Sequence, residues 1–383
     1  MKRFIYIAVF LVLSGCKTEK TNLKKQGLKK QGLKQPKLKF LNEFVVKDSL
    51  NFNNTIIGGI SGIDFSNNQY YMVVDDAKNP RVLIGDVVIK KDSIKNVIFQ
   101  KVISLQPDSG FYQNNVLDLE SVFFSDNKLN LVSEGSIRKG KNPTIFTIDT
   151  AGNFKEEIKI PDYFKANSQA KPKHNAAFES SSKSFDKKGF WVAMEAPLQA
   201  DGDEPTFHKT PSPIRITYFD TQTKTATKQF SYQLEKIDKP AKGSVNLNGV
   251  TAILEYKKNQ FFVVERIYQS GYGAYGNTIR VFKATVNENV NKSFNENTTN
   301  TLEIPSLKKE KYISLKKELL FDFKSIQPKL TNSIIDNIEG ITFGPKLSNG
   351  NNSLIFVSDD NFQVYGKQLT QFLLFEIQTE KVH

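Results

Sequence analysis

Five segments of the sequence repeat one plan, and this repetition constrains the fold more than any other feature. Each segment has a small or acidic start, a short apolar run, a turn, a second apolar run and an acidic end, as in "GGISGIDFSNNQYYMVVDD". The segments span residues 58–76, 117–135, 175–196, 248–266 and 336–360. One or two further strand-like runs follow each of them. Because a hairpin with two outer strands, repeated around an axis, forms a propeller blade, the sequence predicts an all-β protein, a β-propeller with five or six blades.

The ring closure that such a propeller needs is also visible in the sequence. The run "KLKFLNEFVV", residues 37–46, is strand-like and is the expected outer strand of the last blade. The long gap between the fourth and fifth segments contains the Asn-rich run 287–301. This run is typical of a surface insertion, and the gap around it leaves room for a degenerate sixth blade.

Acidic residues stand at both open ends of these hairpins. In an antiparallel hairpin the start of the first strand and the end of the second share one edge, so we expect Glu339 beside Asp359. The same argument predicts two further pairs, Glu120 with Glu134 and Glu179 with Glu195. The acids that close the five segments are Asp75, Glu134, Glu195, Glu265 and Asp359. Repeated around a ring, these carboxylates should meet at one mouth of the central channel, where protons, Arg or Lys side chains, or a cation must neutralise them.

The net charge of +13 does not indicate nucleic-acid binding, because most of it lies in one short region. Residues 1–40 hold 11 Lys or Arg and one acidic residue, so the remaining chain carries a net charge of only +3. A nearly neutral folded body offers no basic surface for a phosphate backbone. We expect no nucleic-acid partner, and we expect a monomer.

The N-terminus has the pattern of a bacterial lipoprotein signal. Lys2 and Arg3 precede the apolar run 4–13, and "LSGC" ends at Cys16, the only cysteine. Cleavage would leave a lipid-bearing Cys16 that binds the membrane. The alternative is an ordinary signal peptide with a chance cysteine. The sequence therefore predicts a signal peptide at 1–15, a Lys-rich linker at 16–37 and a propeller domain at 38–383, at the cell envelope and on the outer membrane.

The repeats also carry a resemblance to a known family. The pieces "GGISGIDF…YYMVVDD", "DLES…VSEG", "FES…AMEAPL", "FFVVER…GNTIRVF" and "DNIEGITFGPKLSNGNNSLIFVSDDNF" are similar to the phytase-like family, also called esterase-like activity of phytase. The resemblance runs from about residue 55 to 378. It implies an exported bacterial β-propeller with phosphoester or ester hydrolase activity. Two features depart from the family pattern: Ser121 and Ser180 replace the glycine that usually follows Glu, and Ala252 stands where Glu is usual.

The acidic mouth is the main candidate site. Carboxylates with the side-chain carbonyls of Asn337 or Asn361 suit Ca²⁺, which takes six to eight oxygen ligands. The candidate metal ligands are Asp75, Glu120, Glu179, Glu339 and Asp359, followed by Glu134, Glu195 and Glu265. The alternative is a structural role, in which the acids cap strands and pair with Arg81, Arg215, Arg266 or Arg280.

The candidate catalytic residues are Glu120, Glu179, Glu339, Arg266 and His174. Arg266 could bind a phosphate or could pair with Glu265. His174 precedes a blade hairpin and could act as a general base. The motif "GYGAYG" at 271–276 leads into a strand rather than a helix, so it does not predict a dinucleotide site. No serine elbow and no cluster of Cys and His are present, which disfavours a serine-triad esterase and a zinc site.

Two functions remain open from the sequence. The first is a lipid-anchored, metal-assisted phosphoesterase or esterase with a small phosphorylated or ester substrate. The second is a non-catalytic binding or scaffold propeller at the cell envelope, which the loss of Glu at Ala252 favours.

Overall fold

The computed structural model describes residues 36–105, 110–238, 240, 242–286 and 300–379. The strands, in chain order, are β1 (Pro36–Val45), β2 (Asn51–Phe52), β3 (Thr55–Ile56), β4 (Ile60–Ser66), β5 (Gln69–Val74), β6 (Arg81–Ile89), β7 (Ile94–Ser104), β8 (Leu119–Ser125), β9 (Lys128–Ser133), β10 (Thr144–Ile148), β11 (Phe154–Ile158), β12 (Phe178–Lys183), β13 (Gly189–Met194), β14 (Pro213–Asp220), β15 (Thr225–Gln233), β16 (Asn246–Lys257), β17 (Gln260–Gln269), β18 (Asn277–Thr285), β19 (Lys316–Asp322), β20 (Asn337–Phe343), β21 (Asn352–Asp359) and β22 (Gln371–Thr379). One short helix, α1 (Gly110–Asn114), lies between β7 and β8.

The predicted signal peptide, Cys16 and nearly all of the predicted linker lie outside the described residues, as does most of the Asn-rich run. Within the described part of the chain, no helix is long and apolar enough to span a bilayer.

The strands form five antiparallel four-stranded sheets arranged as a propeller. Blade 1 is β4 to β7, blade 2 is β8 to β11, blade 3 is β12 to β15 and blade 4 is β16 to β19, each ordered outward from its first strand. Blade 5 has the order β20, β21, β22 and β1. The first strands of neighbouring blades contact one another around the ring, and β20 contacts β4. The prediction of a propeller is confirmed, with five blades in the described residues. No sixth blade forms there, because β19 completes blade 4 after the long gap.

The first and last strands close the ring, as the sequence predicts. β1 pairs with β22 in antiparallel register, from Pro36 opposite Thr379 to Val45 opposite Gln371. Phe40 of β1 packs edge-on against Phe375 of β22, with ring centroids 5.4 Å apart. Since β20 starts at the channel mouth, antiparallel pairing places Val45 on the mouth face and Pro36 on the opposite face.

The hydrophobic core lies between neighbouring blades rather than at the centre of the ring. Alternate residues of each strand pack against the next sheet, which produces four apolar clusters around the propeller. Trp191 of blade 3 is 2% exposed and packs against Phe230 of the same blade and Phe261 of blade 4. Its indole N–H donates to the carboxylate of Glu255, also in blade 4. Each blade therefore depends on its neighbours for burial.

A buried ion pair joins blade 3 to the chain that follows the Asn-rich run. Arg215 donates to Asp201 through Nε at 2.6 Å and Nη2 at 2.8 Å, and both side chains have no exposed surface. Arg215 also donates to the carbonyl of Thr301, and Leu307 N donates to Asp201. This arginine therefore holds a covering segment in place. It does not contact the acids at the mouth.

The pairing of β1 and β22 should contribute measurably to stability. We expect Phe40→Ala to lower the free energy of unfolding by about 2 kcal/mol, because it removes a half-buried ring from the strand pair that closes the ring. Urea denaturation measures this change. Lys39→Ala on the same strand is the control, since the Lys39 side chain is 57% exposed and its long ion pair with Glu376, at 3.6 Å, should contribute under about 0.5 kcal/mol. Equal effects of the two substitutions would contradict the role of β1 in closing the ring.

Candidate metal centre at the channel mouth

A β-bulge at the same position in every blade determines which side chains enter the channel. The register of each inner hairpin shifts by one residue near the mouth, which leaves one unpaired residue in the first strand. The five bulged residues are Ser61, Glu120, Glu179, Thr251 and Glu339. A bulge re-aims the side chain of its extra residue. In this propeller it turns that residue toward the neighbouring blades and the channel.

This register corrects the sequence-based placement of Ala252. The fourth-blade equivalent of the three bulged glutamates is Thr251, and Ala252 occupies the next position, which is occupied by Gly62 and Gly340 in two other blades. A Cβ on Gly62 would lie 2.8 Å from the backbone of Ser121 in blade 2, so this position needs a small residue. The missing glutamate is therefore replaced by a threonine and not by an alanine.

The two bulges without a carboxylate bind the next blade instead. The hydroxyl of Ser61 donates to the carbonyl of Leu119 at 2.7 Å, and the hydroxyl of Thr251 donates to the carbonyl of Ile338 at 2.7 Å. Each acceptor directly precedes a bulged glutamate. These hydroxyls thus fix the backbone from which Glu120 and Glu339 project.

Ser121 and Ser180, which depart from the family pattern, have a structural role. Ser181 N in blade 3 donates to the hydroxyl of Ser121 in blade 2 at 2.9 Å. Ile253 N in blade 4 donates to the hydroxyl of Ser180 in blade 3 at 2.9 Å. The two serines join successive inner strands by hydrogen bonds that glycine could not form.

The second hairpin strand contributes one residue per blade to the mouth, and in blade 4 this residue is an arginine. Glu134 N donates to the carbonyl of Asp118, and Glu195 N donates to the carbonyl of Ala177. Asp118 and Ala177 are the residues directly before the first strands of their blades. The residues at this position are Asp75, Glu134, Glu195, Arg266 and Asp359. The expectation that Glu265 closes the fourth hairpin at the mouth is therefore wrong. The register pairs Glu265 with Val250 and Arg266 with Gly249, so Glu265 lies one residue short of the mouth position and Arg266 occupies it.

Glu265 lies between blades 3 and 4, in a separate buried cluster. It accepts hydrogen bonds from the Tyr232 hydroxyl at 2.6 Å, from Lys317 Nζ at 2.5 Å and from Asn248 Nδ2 at 3.0 Å. These partners satisfy its carboxylate, so its role is structural.

The residues around the mouth form one group of opposed charges, which we call the mouth cluster. Among the described residues it contains one arginine, Arg266, and eight carboxylates: Asp75, Asp118, Glu120, Glu134, Glu179, Glu195, Glu339 and Asp359. Most of these side chains are buried. Eight carboxylates with one guanidinium cannot all be ionised in a buried site without further positive charge.

Five of the carboxylates form two overlapping triads that could hold a metal ion. In each triad one oxygen per residue lies within 4.8 Å of the others. The first triad is Asp75, Asp118 and Glu120, and the second is Glu120, Glu134 and Glu179. Glu120 belongs to both. Of the five residues proposed from the sequence as metal ligands, the structure brings Asp75, Glu120 and Glu179 into these triads.

Asp118 was missed by sequence reasoning. It directly precedes β8 and lies opposite Glu134. In blade 5 the corresponding residue is Asn337, which lies opposite Asp359. The signal was the pattern "LDLES", in which Asp118 and Glu120 are two residues apart. Asp118 stands just before β8 and Glu120 is the bulged residue of that strand, so the bulge brings the two carboxylates together.

Glu120 and Glu179 are the clearest candidates for ligands. They are 7% and 6% exposed. Neither carboxylate accepts a hydrogen bond or forms an ion pair with any residue in the described part of the chain. Buried carboxylates are normally paired or bound to metal, so this arrangement calls for a proton or a cation. The donors of both triads are oxygen atoms alone, which fits hard cations such as Ca²⁺, Mg²⁺ or Mn²⁺ better than Zn²⁺.

Arg266 neutralises the other side of the cluster. Its Nη1 donates to Glu339 Oε1 at 2.7 Å and to Asn337 Oδ1, and its Nη2 donates to Glu195 Oε1 at 2.9 Å. Burial alone would lower the pKa of Arg266, but attraction to Glu339, Glu195 and Glu179 raises it overall. Glu339 is therefore an ion-pair partner in this structure, and both terminal nitrogens of Arg266 are occupied by protein groups.

Burial and mutual repulsion raise the pKa of the carboxylates in the cluster. Burial raises the pKa of Asp75 to about 10, with further contributions from Asp118 and Asp359. Burial and Asp118 raise the pKa of Glu134 to about 8. The pKa values of Glu120 and Glu179 lie well above the ordinary value for the same two reasons.

The two aspartates of "VSDDNF" have different roles. Asp359 is buried in the mouth cluster, where burial and Glu339 raise its pKa, and its Oδ1 accepts from Asn361 N at 2.7 Å. Asp360 points away and accepts from Gly59 N at 2.8 Å and from Phe362 N at 3.1 Å. These bonds hold residues 361–363 in the left-handed region, with φ of 44°, 47° and 63°. Such residues cost on the order of 1 kcal/mol each, so the neighbouring carboxylates maintain a strained turn.

His174 lies at the rim of the cluster, within electrostatic reach of Asp118. Burial lowers its pKa, Arg138 and Lys139 lower it further, and Asp118 opposes them. Its Nδ1 is buried without a partner among the described residues. A neutral imidazole at the rim could accept a proton. The "GYGAYG" loop also lies on this face, and it leads directly into β18, so no helix is present to bind a pyrophosphate.

Comparison with known proteins identifies a family but no well-characterised relative. The family model described as "Phytase-like: Esterase-like activity of phytase" matches residues 55–362. No curated protein matches the chain.

Several solved structures are similar to this chain at low identity. One is described as an endo-1,4-β-xylanase from Bacteroides thetaiotaomicron, with 10% identity, a TM-score of 0.42 and coverage of 84% of this chain and 95% of the other. Another is a GH43 β-1,3-galactosidase with galactodeoxynojirimycin, with 8% identity, a TM-score of 0.45 and coverage of 88% and 95%. The Malassezia sympodialis allergen Mala s 1 has 10% identity, a TM-score of 0.40 and coverage of 88% and 84%.

The raised pKa values predict a pH dependence of stability when no divalent cation is present. A carboxyl group whose pKa is higher in the folded than in the unfolded state binds protons preferentially in the folded state. The free energy of unfolding should therefore fall as pH rises from about 5 to about 8, through the pKa of Glu134 at about 8. Thermal unfolding in EDTA across this range measures the slope. Glu134→Gln should flatten it, whereas Asp162→Asn, an exposed substitution, should leave it unchanged.

Removal of Arg266 should lower the free energy of unfolding, because it leaves buried carboxylates without their positive partner. We expect Arg266→Gln to destabilise the protein by about 3–5 kcal/mol at pH 8, because Glu195 and Glu339 lose a buried partner. The loss should shrink at pH 5, where these carboxyls bind protons. Arg280→Gln is the matched control, since its partners Asp238 and Asp322 are more exposed and should cost about 1 kcal/mol. A pH-independent loss in Arg266→Gln would contradict this account.

Proposed function

The chain belongs to the Phytase-like family, and on that premise we propose that it is a metal-assisted phosphoesterase or esterase that acts at the mouth cluster. The observation that carries the proposal is the state of Glu120 and Glu179, which are buried, close together and without a protein partner in the described part of the chain. Buried carboxylates without a protein partner favour the binding of a cation.

The two triads specify where a divalent cation would bind. Asp75, Asp118 and Glu120 would hold it at one position, and Glu120, Glu134 and Glu179 at the other. A bound Ca²⁺ or similar ion would supply positive charge for a phosphate or carbonyl oxygen and would lower the pKa of a bound water. The remaining mouth carboxylates, Glu195 and Glu339, are already paired with Arg266 and would not be needed as ligands.

Other residues of the mouth have supporting tasks. Hydrolysis of an ester consumes a water molecule, so a group near the cluster must accept a proton from it. His174, with a lowered pKa and an unpaired Nδ1 among the described residues, is suited to that task at neutral pH. Arg266 acts as a positioning residue, because its guanidinium holds Glu195 and Glu339 apart from the triads.

The location of the activity is part of the proposal. We propose that Cys16 carries a lipid and that the propeller lies at the cell envelope, on the outer membrane and outside the cytoplasm. The nearly neutral charge of the folded body fits the absence of a nucleic-acid partner. We also propose a monomer with a small phosphorylated or ester substrate.

A second function, a non-catalytic binding propeller, is favoured by one specific feature. The hydroxyls of Ser61 and Thr251 and both terminal nitrogens of Arg266 already bind protein groups. The mouth therefore offers few free groups for catalysis besides the carboxylates and His174.

Calcium titration of unfolding separates these possibilities. In the purified protein, we expect millimolar Ca²⁺ to raise the melting temperature relative to EDTA, because a ligand at 100 times its Kd adds about 2.7 kcal/mol. We also expect release of phosphate or alcohol from a panel of phosphoesters and carboxylic esters. No thermal shift and no turnover would exclude the metal-assisted enzyme and favour the binding propeller.

Glu120→Gln should have two effects of opposite sign. In EDTA it should raise the melting temperature, because it removes a buried, unpaired carboxylate. It should also abolish most of the Ca²⁺-dependent stabilisation, because Glu120 belongs to both triads. Asp162→Asn is the control for an acid outside the cluster, with a side chain that is 84% exposed. A Glu120→Gln variant that retains the full Ca²⁺ shift would place the cation elsewhere.

A further inference from the structure

A groove with a volume of about 910 Å³ opens between blades 1 and 2 and reaches the mouth cluster at Asp75. We refer to it as the blade 1–2 groove. Its walls come from the β2–β3 hairpin, the loop between β5 and β6, the C-terminal end of β7, and helix α1 with the residues that follow it. Its size falls in the usual range of ligand pockets, about 300–1,000 Å³. Nothing in the metal-assisted reaction accounts for it.

Carboxamides are the recurring side chain of this groove. Asn53 and Asn54 come from the hairpin turn, Asn79 from the β5–β6 loop, and Gln113 and Asn115 from the helix and the residue after it. Asn53, Asn54 and Gln113 make no side-chain hydrogen bond to any other described residue. A carboxamide both donates and accepts, as does a hydroxyl group, so these side chains match a ligand that presents several hydroxyls.

Two aromatic rings complete the walls. Phe362 lines the groove from the strained turn that Asp359 and Asp360 maintain, and Tyr112 lines it from α1. The Tyr112 hydroxyl donates to the carbonyl of Gly152 at 2.8 Å, which fixes its ring. Rings beside carboxamides suit a ligand with an apolar face and a polar edge.

The charges of the groove do not favour an anion. Arg81 is 4% exposed, and its Nη1 already donates to Asp76 at 2.9 Å and to the carbonyl of Asn79 at 2.8 Å. Among the lining residues Asp76 pairs with Arg81, which leaves the exposed Lys78 as a single further cation.

From these features we infer that the blade 1–2 groove binds a carbohydrate, with sugar hydroxyls on the carboxamides and the ring face against Phe362 or Tyr112. The binding itself needs neither metal nor catalysis. Only the orientation of an esterified sugar in the groove rests on the proposed function. Its ester group would lie at Asp75, where the groove meets the first carboxylate triad.

Saturation-transfer NMR with neutral sugars tests this inference. The purified protein in EDTA is mixed with glucose, galactose, mannose, xylose, N-acetylglucosamine, maltose and cellobiose in turn. We expect at least one sugar to receive saturation, and Gln113→Ala and Phe362→Ala to weaken its binding about fivefold or more through loss of one contact each. Melting temperatures of the variants show whether they are folded.

Matched controls come from the opposite face of the propeller. Gln222→Ala removes an exposed carboxamide in the β14–β15 turn, and Phe185→Ala removes a ring that is 56% exposed after β12. Both should leave sugar binding unchanged. The inference is overturned if none of the sugars receives saturation, or if the affinity for the bound sugar is unchanged in both groove variants.

The same assay keeps this inference separate from the proposed hydrolase. Sugar binding in EDTA without any ester hydrolysis would leave the groove as a binding site and remove the enzyme. Calcium-dependent hydrolysis without sugar binding would do the reverse.

Discussion

Burial of like charges around a narrow channel is the constraint on which the rest of this structure depends. A five-bladed ring brings ten inner positions to one mouth, five from bulges and five from the ends of the second strands. Acids occupy most of them, and one guanidinium cannot balance the sum. The hydroxyl groups of Ser61 and Thr251, which lie at the same ring of positions, bind the backbone of the next blade and do not offset this charge.

The ring is held together by short hydrogen bonds between neighbouring inner strands. Hydroxyls of Ser61, Ser121, Ser180 and Thr251 each bind the backbone of the following blade. Ser121 and Ser180 stand where the family usually has glycine, and Ser61 and Thr251 are the two bulged residues without a carboxylate. Glu120, Glu179 and Glu339 occupy the other three bulges.

Much of the architecture could be predicted because it depends on repetition. The hairpin plan, the number of visible blades and the closure by β1 all follow from alternating apolar runs and their spacing. The pairing of acids at hairpin ends followed from antiparallel geometry alone. Asp75, Glu120 and Glu179 could be proposed for the site for that reason.

The errors arose from single-residue shifts. The sequence pattern placed Ala252 and Glu265 at the mouth, one residue away from Thr251, the bulged residue of the first strand, and Arg266, the closing residue of the second. Asp118 was missed because it lies before its strand and matters only opposite Glu134. The groove between blades 1 and 2 could not be predicted, since its walls come from four segments whose proximity only the folded ring creates.

The direction of β1 has a further consequence. The chain enters the propeller at Pro36, on the face opposite the mouth. With a lipid on Cys16, as proposed, the tether would join the propeller on the face opposite the mouth. The point of attachment to the membrane would then be separate from the point of ligand entry.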